Sequence, residues 1–156
     1  MSNREANEDE ILHDPATYLR LVGRLLYLTM TRPDIAFVVQ GLNQYNHCLK
    51  KSHLEAALKV MRYIKGTLGL GLFVPAQTTN QFSAYCDSYW GVCLETRKSI
   101  TRYLVKFGGA LVSWKSKKQE TVPRSSVEAE FRSMATCTVE LTWLLGLFRE
   151  FGVYIQ

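Results

Sequence analysis

Long apolar runs are missing from this sequence. A stretch such as "LVGRLLYLTM" breaks at Arg24 and stops before Arg32, far short of a membrane span, so no membrane partner is expected. Cysteine is sparse: Cys48, Cys86, Cys93 and Cys137 show no CxxC spacing and read as reduced, partly buried thiols of an intracellular protein, cytoplasmic or nuclear. His47, Cys48 and His53 lie close together, but the spacing reads as a helix end followed by a cap rather than a zinc site. The opening "MSNREANEDEILHD" lacks both a hydrophobic core and basic character, which argues against a secretory signal or a mitochondrial transit peptide. Internal repeats and low-complexity segments are absent as well.

What is present is ordinary globular composition. With 47% hydrophobic and 12% aromatic residues, the chain can fold rather than stay disordered. Its 156 residues suit one domain or two small subdomains. The net charge of +5 is unevenly spread. Between Arg97 and Arg124 stand Arg97, Lys98, Arg102, Lys106, Lys115, Lys117, Lys118 and Arg124 against Glu120 alone, while acidic residues gather in the first 14. Such a one-sided stripe is the footprint of a polyanion binder, with Arg97, Lys98, Lys115, Lys117, Lys118 and Arg124 as candidate nucleic-acid contacts.

Residues 1–14 read as a flexible acidic tail, and three helices are expected after it. "ATYLRLVGRLLYLTM" repeats Tyr18, Leu21, Leu25 and Leu28 at helical spacing. "TRPDIAFVVQGLNQY" places Pro33 in a first turn and Ile35, Val38, Val39 and Leu42 on one face. "SHLEAALKVMRYIKGT" opens with Ser52 and Glu55 in capping-box spacing, would bury Leu54, Leu58, Met61 and Ile64, and closes on Gly66.

From about residue 69 the period shortens. "GLGLFV", "FSAYCDSYW", "ITRYLVKFG" and "ALVSWKS" are short β-type runs, and Gly108 and Gly109 mark a hairpin turn between the last two. A long helix over "SSVEAEFRSMATCTVELTWLLGLFREFGV" should bury Phe131, Met134, Cys137, Leu141, Leu144 and Phe148. The expected architecture is mixed α/β (α+β): a helical segment over 15–79, then three antiparallel strands and a long helix over 80–156.

Asp87 interrupts a run, Phe82 to Trp90, that otherwise reads as a buried strand, and a buried charge needs a reason. The long helix offers Glu128 and Glu130. Ser125 and Glu128 have capping-box spacing, which gives Glu128 a structural task and leaves Glu130 as the carboxylate available to meet Asp87. A strand aspartate facing a helix glutamate is half of a cage for a hard, oxygen-seeking cation.

Over about Asp14 to Val153 the chain resembles the Pol polyprotein of copia-type retrotransposons, particularly plant ones. The motifs "TRPDI", "RYIKGT", "YCDSYWG", "SWKSKKQ" and "EAEF" carry the resemblance, in the family's order and spacing. It implies the end of reverse transcriptase, to about residue 74, followed from about residue 80 by the start of an RNase H domain. That domain cleaves the RNA strand of an RNA–DNA hybrid with Mg²⁺ or Mn²⁺. On this resemblance Asp87 matches the first-strand catalytic aspartate and metal ligand, and Glu130 the helix glutamate, with Glu128 the lesser candidate. Two further acidic positions of the family's site would fall after Gln156, and Tyr89 stands where the family has a second aspartate. The metal is therefore expected to bind weakly if at all, with nuclease activity weak or absent. The alternative is a domesticated, non-catalytic module that binds nucleic acid, or that binds a protein or a second copy through an exposed strand edge.

Overall fold

The computed structural model describes residues 10–45, 49–76, 79–91 and 96–155. The chain divides into two compact units, Met1–Gly71 and Leu72–Gln156. Among the described residues no helix is long and apolar enough to cross a membrane. The architecture is α+β, as the periodicities predict.

The first unit is helical. Helix α1, Pro15–Leu28, starts where Asp14 accepts hydrogen bonds from the amides of Ala16 (3.1 Å) and Thr17 (3.3 Å), with Pro15 at the first helical position. Residues 10–14 are thus not part of a free tail. The Leu12 amide donates to the Leu49 carbonyl at 2.9 Å, the Lys51 amide to the Glu10 carbonyl at 2.9 Å, and Glu10 pairs with Lys51. A 3₁₀ turn over Pro33–Ile35 leads into α2, Ala36–Asn43, and α3 follows over Lys51–Gly66.

The core gathers Tyr18, Val22 and Leu25 of α1 with Ile35, Val39, Leu42 and, from α3, Ala57 and Val60. The Tyr18 hydroxyl, buried among them, donates to the Leu42 carbonyl at 2.8 Å, so its burial leaves no unmet polar group. Two expectations for α3 fail. The helix starts before Ser52, and His53 rather than Glu55 reaches back, its Nδ1 accepting from the Lys50 amide at 3.3 Å. The buried positions are Ala57 and Val60, whereas Leu58 and Met61 are exposed and Leu54 and Ile64 only partly buried. Ala57 and Val60 take the inward face and join the core with Tyr18, Val39 and Leu42.

Arg32 fastens the α1–α2 turn to the end of α3. Its side chain is nearly buried. Its Nε and Nη2 donate to Asp34 at 2.9 and 2.7 Å, and Nη1 donates to the Thr67 carbonyl at 3.0 Å. Tyr63 lies under the guanidinium, 5.7 Å away, and its hydroxyl donates to Asp34 at 3.1 Å. The "TRPDI" and "RYIKGT" motifs are therefore two halves of one contact.

The second unit is a three-stranded antiparallel meander in the order β1-β2-β3, with β1 Phe82–Tyr89, β2 Ile100–Phe107 and β3 Ala110–Lys118. Gly108 takes a positive φ of 56° at the β2–β3 turn, which favours glycine, and a Cβ on Gly109 would make a tight contact of 3.1 Å with the Pro75 ring. "GLGLFV", expected as a strand, is irregular and largely exposed: its glycines raise the entropy cost of extension, and no strand of the sheet pairs with it.

Helix α4, Ser126–Glu150, covers one face of the sheet. Its start is as predicted: Ser125 accepts from the Glu128 amide at 3.2 Å, and the Glu128 carboxylate accepts from the Arg124 amide at 2.6 Å. Cys137, Leu141, Leu144 and Phe148 pack on Tyr103, Val105, Val112 and Phe82, with Phe107 and Phe148 ring centres 4.6 Å apart. The first half of the stripe departs from expectation. Phe131 and Met134 are exposed, and Ala129 and Ser133 turn inward instead. Ser133 is fully buried, and its hydroxyl donates to the Asp87 carbonyl at 2.6 Å, with the Arg102 carbonyl 3.3 Å away.

Two outcomes are expected. Ser133→Val loses the bond to Asp87 and adds a methyl group in a tight contact. It should cost about 1–3 kcal/mol in urea unfolding, and wild-type stability would show that the contact carries little. In the first unit, hydrogen bonds from Arg32 lead in holding the Asp34 carboxyl below the usual aspartate range. Its stabilisation is complete above the unfolded value of about 4 and is lost as pH falls through the lower folded value. Asp34→Asn should therefore shrink the loss of stability between about pH 5 and about pH 2, measured by denaturant unfolding at each pH.

Candidate functional site

Strand alternation settles where Asp87 points. Cys86 is in register with Tyr103, which packs in the core with Cys137 of α4, and the Cys86 and Cys137 thiols interact. Cys86 therefore faces the helix, and Asp87, one residue on, faces the opposite side with Tyr85 and Tyr89. This corrects the reading of a buried strand. β1 is the sheet's edge, Tyr85 and Tyr89 are half exposed or more, and the Asp87 side chain is 63% exposed. The charge stands in the strand because its face is open.

Asp87 has a partner. Arg102 lies directly across in β2, and its guanidinium forms an ion pair with the Asp87 carboxylate. The same guanidinium lies over the Tyr89 ring, 5.3 Å from its centre. The Arg102 side chain is 35% exposed, about half as exposed as its partner.

The two glutamates of α4 separate as their spacing suggests. Glu128 is bound up at the helix start, with its Oε1 accepting from Arg132 at 2.6 Å. The Arg124 amide, and after it Arg132, holds its carboxyl below the usual range against a smaller desolvation. Glu130 is exposed on the helix, one turn before Ser133. It belongs to the element that covers the face of the sheet opposite the Asp87 side chain. Among the described residues, no three His, Cys, Asp or Glu side chains come together to hold a metal ion. With Asp87 engaged by Arg102, this arrangement of Asp87 and Glu130 does not fit Mg²⁺ or Mn²⁺, which need several converging oxygens.

Three of the six basic candidates do meet. Lys115, Lys117 and Lys118 of β3 line a cleft of about 390 Å³ against α4. Arg132 completes its basic wall, Thr101, Thr121 and Thr136 add hydroxyls, and Glu120 is the acidic residue among the lining. Buried Gln119 forms the floor, its Nε2 donating to Thr101 Oγ1 and to the Ala129 carbonyl, both at 3.1 Å. Arg97, Lys98 and Arg124 are not among the residues lining it. Arg97 stands exposed in a left-handed conformation (φ 54°) in the β1–β2 connection, and the Arg124 amide serves the helix start. Arg132 was missed, although its place four residues after Glu128 announces the pairing that fixes it beside the cleft.

Of the sulfur and imidazole candidates, His47, Cys48 and Cys93 lie outside the described residues. His53 stacks on Tyr45 with ring centres 4.3 Å apart and caps α3, a structural role. Cys86 and Cys137 are free thiols, and burial first, then the neighbouring Cys86, pushes the Cys137 thiol upward.

Comparison with known proteins adds a second line of observation. The chain is 40% identical over 142 residues, 91% of its length, to the retrovirus-related Pol polyprotein from transposon RE1 of Arabidopsis thaliana, covering 10% of that protein. It is 34% identical over 138 residues, 88% of its length, to the corresponding polyprotein from transposon TNT 1-94 of Nicotiana tabacum, again 10% of that protein. It is also 39% identical over 128 residues, 81% of its length, to the secreted RxLR effector protein 161 of Plasmopara viticola, of which it covers 90%. The chain thus spans about a tenth of the Pol polyproteins it matches. No protein-family model and no solved structure matches it.

The different tasks of the two glutamates can be checked by substitution. Glu128→Ala removes a helix-start contact and the Arg132 pair and should lower the melting temperature measured by circular dichroism. Glu130→Ala should leave it nearly unchanged. Equal effects would mean that Glu130 has a structural role of its own.

Proposed function

The chain belongs to the retrovirus-related Pol polyproteins of transposons, and from that premise we propose that it is a copia-type segment joining the end of reverse transcriptase to the start of an RNase H-like domain, whose present capacity is to bind nucleic acid. The observation that carries this reading is the cleft between β3 and α4, where Lys115, Lys117, Lys118 and Arg132 face Glu120. Ammonium and guanidinium groups set among hydroxyls suit phosphate oxygens, and they recognise a backbone rather than a base sequence. An RNA–DNA hybrid is the substrate class that the family implies, and the cytoplasm or nucleus the place to meet it.

Hydrolysis is the weaker part of the reading. Two carboxylates hold Mg²⁺ or Mn²⁺ loosely, and Asp87 is already paired. The metal contributes several kcal/mol to phosphodiester cleavage only when ligands fix it in place. Activity as a nuclease should accordingly be weak or absent. A second reading, docking of a protein strand or a second copy, is favoured by one feature: among the described residues β1 pairs with β2 alone, and an edge strand of this kind is the usual place for strand addition.

The reading is tested by fluorescence anisotropy with a labelled RNA–DNA hybrid over a range of salt. Affinity should fall steeply as salt rises. Neutralising Lys115, Lys117 and Lys118 together should reduce the log–log slope by about 2–3, close to one unit per phosphate contact. A salt-independent affinity would overturn it. In the same samples with Mg²⁺, cleavage should stay at background, and cleavage that Asp87→Asn abolishes would establish an active nuclease instead.

A further inference from the structure

We infer that Arg102 is a cation built into the sheet that holds the Asp87 carboxylate and keeps a divalent metal off it. The inference rests on the proposed reading in one respect, that Asp87 is the position at which the family places its metal. Everything else comes from the geometry around the pair.

Two contacts hold the guanidinium, and a third interaction holds the backbone behind it. Arg102 is the cross-strand partner of Asp87, so the two side chains leave the sheet side by side and on the same face. Their ion pair is a charge-assisted hydrogen bond, and the Tyr89 ring, 5.3 Å from the guanidinium carbon, supports the cation from one side. From behind, the buried Ser133 hydroxyl holds the Asp87 carbonyl at 2.6 Å and lies 3.3 Å from that of Arg102. The backbone of both residues is thereby pressed against α4, and neither can shift without disturbing the helix.

A divalent ion arriving at Asp87 meets two obstacles. It must displace the guanidinium from the carboxylate, and it must then sit beside a positive charge that the strand pairing and the Tyr89 ring keep nearby. Arginine stays protonated at any working pH, so no titration lifts the block. Even at the dielectric of water, repulsion between a dication and a guanidinium about 5 Å away weakens binding by about tenfold. An exposed ion pair alone contributes little to stability, so the exclusion comes from charge and position, not from the strength of the bond.

The test uses the full chain and Mn²⁺ as probe, with the electron paramagnetic resonance signal of free Mn²⁺ as readout. Arg102→Ala should raise the affinity for Mn²⁺ by about tenfold or more, and adding Asp87→Asn should abolish the gain. Arg102→Lys keeps the charge and should remain close to wild type. Circular dichroism checks folding, and Arg102→Gln replaces the alanine variant if that one unfolds. The inference is overturned if the wild type binds Mn²⁺ through Asp87 as tightly as the neutral variants, if those variants gain nothing, or if the lysine variant gains as much as they do. Hybrid binding on the same samples separates the two ideas. Its absence would sink the nucleic-acid reading and leave the metal result standing.

Discussion

The second unit depends on the close approach of α4 to the sheet at Ser133. A hydroxyl that reaches strand carbonyls requires the helix backbone to come nearer than large side chains allow. The residues along that line are accordingly small: Ala129, Ser133 and Cys137, four apart. Beyond Cys137 the larger Leu141, Leu144 and Phe148 pack on the sheet. The helix thus bears on the sheet through small residues at one end and through an aromatic and aliphatic cluster at the other. Because the small end sits over the Asp87–Arg102 pair, the side chains of that pair have one direction open to them, away from the helix.

The first unit meets the same problem with charge. The α1–α2 turn must be held to the end of α3, and Arg32 does so while nearly buried. A buried guanidinium is tolerable because nearly every donor is spoken for: two by Asp34, others by the Thr67 carbonyl and hydroxyl, with the Tyr63 ring beneath. Asp34 in turn is shared with the Tyr63 hydroxyl. The network explains why these residue types occur at both ends of the unit, without any appeal to catalysis.

Much of this was legible beforehand, and the boundary has a physical cause. Local signals read true: the Ser125–Glu128 start of α4 and the glycine turn of the β2–β3 hairpin each depend on a few neighbouring residues. Apolarity misled wherever packing distance mattered more than hydrophobicity. Phe131, Met134, Leu58 and Met61 looked inward and proved exposed, while Ala57, Ala129 and Ser133 took the inner face. The meaning of Asp87 was beyond local reading for another reason. Its partner lies 15 residues away, and only the register of β1 against β2 brings the two together. A slip of β1 by one residue would turn Asp87 toward the helix and away from Arg102. Periodicity gives the strand, but register decides what its charge meets.

Register also changes the charge count that first suggested a polyanion partner. Of the cations in the second unit, Arg102 is balanced by Asp87 and Arg132 by Glu128. Among the described residues no ion pair engages Lys115, Lys117 or Lys118, and these three lie in one cleft with Glu120 as the opposing charge. Within the broad stripe read along the chain, the last strand therefore carries a local surplus gathered at one place. The Asp87 carboxylate faces the side of the sheet away from α4, and the surplus gathers in the cleft between β3 and α4. A surplus of that kind attracts a phosphate backbone whether or not any chemistry follows. The proposed phosphate contacts and the Asp87–Arg102 pair thus lie on opposite faces of the same small sheet, so that a change in one set need not disturb the other.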